Sequence, residues 1–153
     1  MAVSYGDGST LSDSHGVSRQ FNGILITASA DPLESILKFN HINLVVADPQ
    51  LSAQFYARYL VNNASIEWLG DSLHLRDSCA IDLAFQQGKP VKADGSHHGF
   101  LAESVQTIEN LLKLLKRDGI TITDDCVEEG FRSVKFLDPD GYEIEVYWEA
   151  SWP

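Results

Sequence analysis

Apolar positions along this chain change period in an order that recurs. His41-Ile42-Asn43-Leu44-Val45-Val46 alternates, with Ile42, Leu44 and Val46 on one face. That pattern predicts a strand whose aliphatic face packs inward. Asp48-Pro49 then opens a stretch carrying Leu51, Phe55, Tyr59 and Leu60 at helical spacing; a capping carboxylate followed by Pro is a helix start. Three short strands are predicted next, near Ser65–Leu69, Leu73–Arg76 and Cys79–Phe85, divided by Gly70-Asp71 and Asp77-Ser78 turns. Gln86 to Ser96, with Gly88, Pro90 and Gly95, reads as a linker. The order then repeats. His97–Ala102 predicts a strand, and Ser104 caps a helix with Ile108, Leu111, Leu112 and Leu115 on one face. Strands follow near Ile120–Thr123, Phe131–Leu137 and Tyr142–Trp148, the last two joined by the turn Asp138-Pro139-Asp140-Gly141.

Two copies of β-α-β-β-β are therefore expected: an α+β chain with modules 39–87 and 96–149 inside one domain, 39–153. Residues 1–38 form an N-terminal extension. Its first 20 or so residues are rich in Ser, Gly and Asp without periodicity and read as a tail, or an arm ordered by a partner. Phe21–Ala30 predicts a short strand, and Asp31-Pro32 a short helix.

Strand parity places particular polar residues together. His41, Asp82, His97 and Glu145 all fall opposite the apolar, helix-facing side of their strands, and Asp82 and Glu145 are expected at matching places in the two modules. Two imidazoles and one or two carboxylates suit Fe(II), Mn(II), Ni(II), Zn(II) or Co(II). The competing interpretation is a solvated sheet face with alternate polar residues. Parity puts His98 on the helix side with Phe100, as a structural residue. His15 and His74 are expected at the surface. Glu143 shares the parity of Glu145, and Tyr147 and Trp68 are candidate pocket walls.

Composition narrows the ligand. The chain has 153 residues and a formal net charge of -11, which disfavours nucleic acid and anionic membranes. Neutral or cationic small molecules are expected instead. A phosphonate is disfavoured as well, since Lys89, Lys92 and Arg132 are the only obvious candidate anchors for one. Cys79 and Cys126 lack CxxC spacing and are expected as free thiols. With no charged segment leading into an apolar run at the start, a cytoplasmic location is expected.

His41-Ile-Asn-Leu-Val-Val-x-Asp-Pro with Phe55-Tyr56, His97-x-Gly-Phe, and Asp138-Pro-Asp-Gly-Tyr-x-Ile-Glu145-Val-Tyr-Trp resemble the vicinal oxygen chelate superfamily over residues 39–149. That group includes glyoxalase I, extradiol dioxygenases, fosfomycin-resistance enzymes and bleomycin-resistance binding proteins. The resemblance implies paired modules forming an incomplete mixed β-barrel, commonly in a homodimer. It implies His41, His97 and Glu145 as ligands of a divalent metal, with Asp82 at the place of a fourth ligand. Asp82 and Glu145 are the catalytic carboxylates it suggests. An enzyme of the glyoxalase or dioxygenase kind would bind neighbouring oxygens of a small substrate through the metal. The alternative is a metal-free drug-binding protein of the bleomycin-resistance type.

Overall fold

The computed structural model describes residues 18–21, 24–27, 39–78 and 81–151. They fall into two units, divided at Asn40. In the first, β1 (Ser18–Phe21) pairs antiparallel with β2 (Ile24–Thr27). A tail was expected up to about residue 20, so β1 is a correction. The signal for it was Asn22-Gly23, a dipeptide that favours tight hairpins. The helix expected at Asp31-Pro32, and Cys79, lie outside the described residues.

The second unit contains both modules. Module 1 runs β3 (His41–Val46), α1 (Pro49–Tyr59), β4 (Ser65–Leu69), β5 (Ser72–Arg76), β6 (Asp82–Gln87). Module 2 runs β7 (His97–Leu101), α2 (Val105–Arg117), β8 (Ile122–Glu128), β9 (Phe131–Leu137), β10 (Glu143–Glu149). Each forms an open four-stranded mixed sheet, ordered β3-β6-β5-β4 and β7-β10-β9-β8. The outer pairs β3–β6 and β7–β10 are parallel and the remaining pairings antiparallel. This is the α+β architecture that the alternation of periods predicts. One strand differs. β8 extends through Asp124-Asp125-Cys126 to Glu128, where the sequence has no apolar alternation. It is an edge strand, set by its backbone pairing with β9 and not by burial of its own side chains.

Both helices start on side-chain caps. Asp48 Oδ1 accepts from the amides of Gln50 (2.9 Å) and Leu51 (3.2 Å), with Pro49 in the first turn. Ser104 Oγ accepts from the Thr107 amide at 3.2 Å. α2 buries Ile108, Leu111, Leu112 and Leu115. Leu73, Leu75, Leu83 and Phe85 of one sheet, and Val134, Phe136, Ile144 and Val146 of the other, belong to one continuous apolar cluster with the helices. Phe55 of α1 and Phe136 of β9 meet inside it, ring centroids 6.3 Å apart.

A polar joint crosses that core. The Tyr56 side chain is fully buried; its hydroxyl lies 2.9 Å from His98 Nε2 and donates to Asp138 Oδ2 at 3.3 Å. Asp138 Oδ1 in turn accepts from the amides of Asp140 (2.9 Å) and Tyr142 (2.8 Å). Burial pushes the Tyr56 hydroxyl well above its ordinary range, aided by the nearby Asp138 charge, so it stays protonated and donates. Burial, then the neighbouring His97, lowers His98 from 6.5 to about 4. A neutral imidazole is thus left to complete the chain of hydrogen bonds. The turn after Asp138 docks on the start of α1. Asp140 accepts from the Ala47 amide (3.0 Å) and the Ser52 hydroxyl (3.3 Å), adding a second carboxylate where the helix dipole favours one. Tyr142 donates to the Val45 carbonyl at 2.7 Å. At the far end of α1, Arg58 and Tyr59 both reach Asp118, the capping residue of α2, at 2.7 and 2.9 Å.

Replacing Tyr56 by Phe keeps the ring packing but leaves His98 and Asp138 short of a buried partner. Stability should fall by about 1–2 kcal/mol, read as a lower denaturation midpoint with unchanged slope. The Asp118 joint adds a pH dependence. Hydrogen bonds from Arg117, Arg58 and Tyr59 hold this carboxyl below its ordinary range. Its stabilisation is therefore complete above roughly pH 4 and is lost as the pH falls further, because the unfolded chain takes up the proton first. Asp118→Asn should flatten the acid limb of a stability–pH curve.

Candidate metal centre

The register of the parallel pairs brings imidazoles and carboxylates together on the sheet faces opposite the core. In module 1, His41 on β3 is paired with Asp82 on β6. Arg76 and His74 come from β5, Arg76 directly opposite Asp82. Asp82 Oδ1 lies 2.8 Å from His74 Nδ1; its Oδ2 lies 3.1 Å from Arg76 Nη2 and 3.4 Å from His41 Nδ1. The two imidazole rings stack at 6.0 Å. Burial alone would raise the Asp82 carboxyl, but hydrogen bonds from Arg76 and His74 and their charges bring it down to about 2. It is an ionised carboxylate with both oxygens occupied. His74 was expected at the surface. Its side chain is only 13% exposed, because Leu73 and Leu75 anchor the centre of β5 in the core and hold the residue between them against β6.

In module 2, His97 Nε2 lies 3.2 Å from Glu145 Oε2, with side chains 35% and 17% exposed. Glu143 accepts from the Thr123 hydroxyl at 2.7 Å. Gly99 leaves room beside Tyr147, whose ring would stand 3.5 Å from a Cβ placed there. Tyr147 is thus on this face. Trp68 is not: it pairs with Leu73, on the helix side of its sheet.

Two placements revise the sequence reading. Asp82 and Glu145 are not positional mates. His41 is in register with Asp82, but His97 is in register with Glu143. Glu145 pairs with Gly99 as Ala84 pairs with Asn43, so Ala84 stands at the counterpart of Glu145. Turn lengths hid this two-residue offset. Arg132, a candidate phosphonate anchor, is 3% exposed and faces α2 and β8, where Glu109 and Asp125 each hold it at 2.8 Å.

His41, His74 and Asp82 are the group of three among the described residues whose ligand atoms lie within 4.8 Å of one another. His97 and Glu145 are brought together in the other module and do not join that group. The four residues singled out by parity thus form two pairs, each on its own sheet. His41 and His74 both turn Nδ1 toward Asp82, and the Nε2 atoms have no partner among the described residues. An imidazole fixed through Nδ1 to a carboxylate and free at Nε2 is prepared to bind a metal or take a proton.

Repeated β-α-β-β-β modules, each with an open four-stranded mixed sheet, are the architecture of the vicinal oxygen chelate class. The chain belongs to the Glyoxalase/Bleomycin resistance protein/Dioxygenase superfamily, whose model matches residues 38–146. A possible glyoxalase from Bacillus cereus is similar at 26% identity, over 72% of this chain and 97% of that one, with a TM-score of 0.61. The fosfomycin resistance protein FosX of Listeria monocytogenes shares the fold, at 19% identity over 74% and 93% of the two chains and a TM-score of 0.64. So does the oxidase ChaP-H2, at 19% identity over 74% and 94%, with a TM-score of 0.60. No curated protein matches the chain. Among the described residues, no helix is long and apolar enough to cross a membrane.

The Arg76–Asp82 pairing is open to measurement. Arg76→Met should raise the Asp82 carboxyl from about 2 toward the usual carboxylate value of about 4, followed by carboxyl-carbon NMR. An unchanged value would assign the depression to the imidazoles alone.

Proposed function

We propose that this protein is a divalent-metal-dependent enzyme acting on a small substrate with two neighbouring oxygens, and that its metal site is completed between two copies of the chain. The observation that carries this reading is the convergence of His97 and Glu145 at 3.2 Å on an open sheet face. Two protein ligands are too few for a catalytic site, which takes about three and leaves positions for substrate. The third ligand in this reading is His41, whose Nε2 is free on the corresponding face of the other module. Because the two pairs are not joined within one chain, a second copy supplies it. A two-fold dimer then holds two equivalent sites.

The donor set fits the ion: two neutral imidazoles and one carboxylate suit Fe(II), Mn(II), Ni(II), Zn(II) or Co(II). When bound, such an ion supplies Lewis acidity toward a chelating pair of substrate oxygens. The chain's residues do the rest. Asp82 orients His41 for ligation and His74 for proton transfer, both through Nδ1. Arg76 keeps Asp82 ionised, so the proton on His74 stays at Nδ1 and Nε2 acts as the base. Glu145 is a ligand, and Asp82 acts through the imidazoles it touches.

Metal content tests both parts. Wild type purified without chelator should take up about one ion per chain, while His41→Ala and Glu145→Ala should each take up almost none. When the two variants are unfolded together and refolded, half the dimers are mixed and each mixed dimer has one intact site. About a quarter of the wild-type metal should return. No recovery would place the ligand set within one chain. Full metal in either variant alone would remove the ligand assignment, and a wild type that takes up no metal would bring forward metal-free binding of a drug-like molecule.

A further inference from the structure

The ligand face of module 2 carries a cation that nothing in the fold uses. Lys135 lies on β9 directly across from Glu145 on β10. Residues opposite each other in an antiparallel pair project to the same face, with Cβ atoms about 5 Å apart. The neighbours of Lys135, Val134 and Phe136, are fully buried on the core side, which fixes the lysine on the other side with Glu145 and His97. It is half-buried, yet it makes no hydrogen bond or ion pair among the described residues. The arginines near these faces are engaged. Arg76 is bound to Asp82 and Glu67, and Arg132 is buried on the opposite side with Glu109 and Asp125.

We infer that Lys135 is an anchor for a singly charged oxygen group of the substrate, a carboxylate next to the metal-binding oxygen, which makes 2-hydroxy or 2-oxo acids the substrate class. This rests on the metal-dependent reading above. Net charge gives the opposite expectation, a neutral or cationic ligand, but a charge of -11 says little about any one pocket. A site responds to the charges within a few ångströms, since those farther away are screened. Around His97 and Lys135 these are Glu145, spent on the ion, Glu143, held by Thr123, and Asp124, directly across from Lys135 on β8. A single ammonium beside the bound ion matches the one charge of a carboxylate and not a phosphate or phosphonate dianion. Lys135 touches the substrate but none of the proposed ligands, so its loss should weaken acid binding and spare the metal.

The test uses Mn(II)-loaded dimer titrated with glycolate and with glycolamide, which has the same shape without the charge, followed by water-proton relaxation and by calorimetry. Wild type should bind glycolate at least tenfold more tightly than glycolamide. Lys135→Met should retain its manganese and its thermal midpoint but bind glycolate about ten- to a hundredfold more weakly, the range of one charge-assisted hydrogen bond. Its glycolamide affinity should not change. Lys135→Arg should recover most of the glycolate affinity. Equal affinity of wild type for the two probes, or undiminished glycolate binding by Lys135→Met, overturns the anchor while leaving the metal reading intact. Loss of manganese from Lys135→Met also overturns it, since the lysine would then be supporting Glu145. A wild type that takes up none of manganese, iron, cobalt, nickel or zinc removes the metal reading, and the anchor with it.

Discussion

The Tyr56 hydroxyl is the contact on which the arrangement of the two modules depends. It sits where α1 of the first module meets the closing turn of the second, with His98 on one side and Asp138 on the other. Apolar packing around it is non-directional and would tolerate a helix sliding along the sheet. A buried hydroxyl that must satisfy two buried partners does not, because a displacement that lengthens either bond leaves a polar group unpaired in the core. The same turn also takes the Ala47 amide and the Ser52 hydroxyl through Asp140. His97 and Glu145 lie on strands that start from this joint: His97 precedes His98, and β10 begins just after Tyr142. A constraint made in the core thus sets the placement of the candidate ligands on the opposite face.

Module 1 achieves its order differently. Its polar face is held by charge, with Asp82 gathering Arg76 and two imidazoles. An ionised carboxylate with Arg76 beside it gives up little as a fourth metal ligand and much as an orienting group, since it would first have to leave three partners. Ala84, at the counterpart of Glu145, has no side chain with which to ligate. In the proposed site module 1 therefore contributes a single imidazole nitrogen from its leading strand, and module 2 an imidazole and a carboxylate.

Much of this was legible in the sequence because strand parity and helix capping are local. Asp48 and Ser104 announced both helices, and alternation placed His41, Asp82, His97 and Glu145 opposite the core. It also placed His98 on the core side, where it meets Tyr56. What stayed hidden depended on register. Sequence spacing could not show that β6 and β10 differ by two residues in how they meet their leading strands, nor that Asp82 would lie between His41 and His74. Lys135 was passed over because a lysine between Val134 and Phe136 reads as an ordinary exposed strand residue until its partner across the ladder is known. β1 was missed because its residues lack periodicity, although Asn22-Gly23 marked a hairpin.

The duplication itself explains why so few residues carry the chemistry. Counted from the helix caps Asp48 and Ser104, Tyr56 corresponds to Leu112; counted from the leading histidines, His98 corresponds to Ile42. The second module's Asp138 has its mate in Asp77, which accepts from the Ile81 amide at 2.9 Å as Asp138 does from Tyr142. The turn aspartate was kept in both copies because it closes the loop before the last strand, a need both modules share. The hydroxyl and imidazole occur once among the described residues, and an aliphatic pair, Leu112 and Ile42, fills the equivalent positions. One polar joint suffices to fix the register between two modules, while a second would bury more polar groups with no further register to set. The ligand faces follow the same logic, with Glu145 opposed by Ala84 and only the leading histidine present in both.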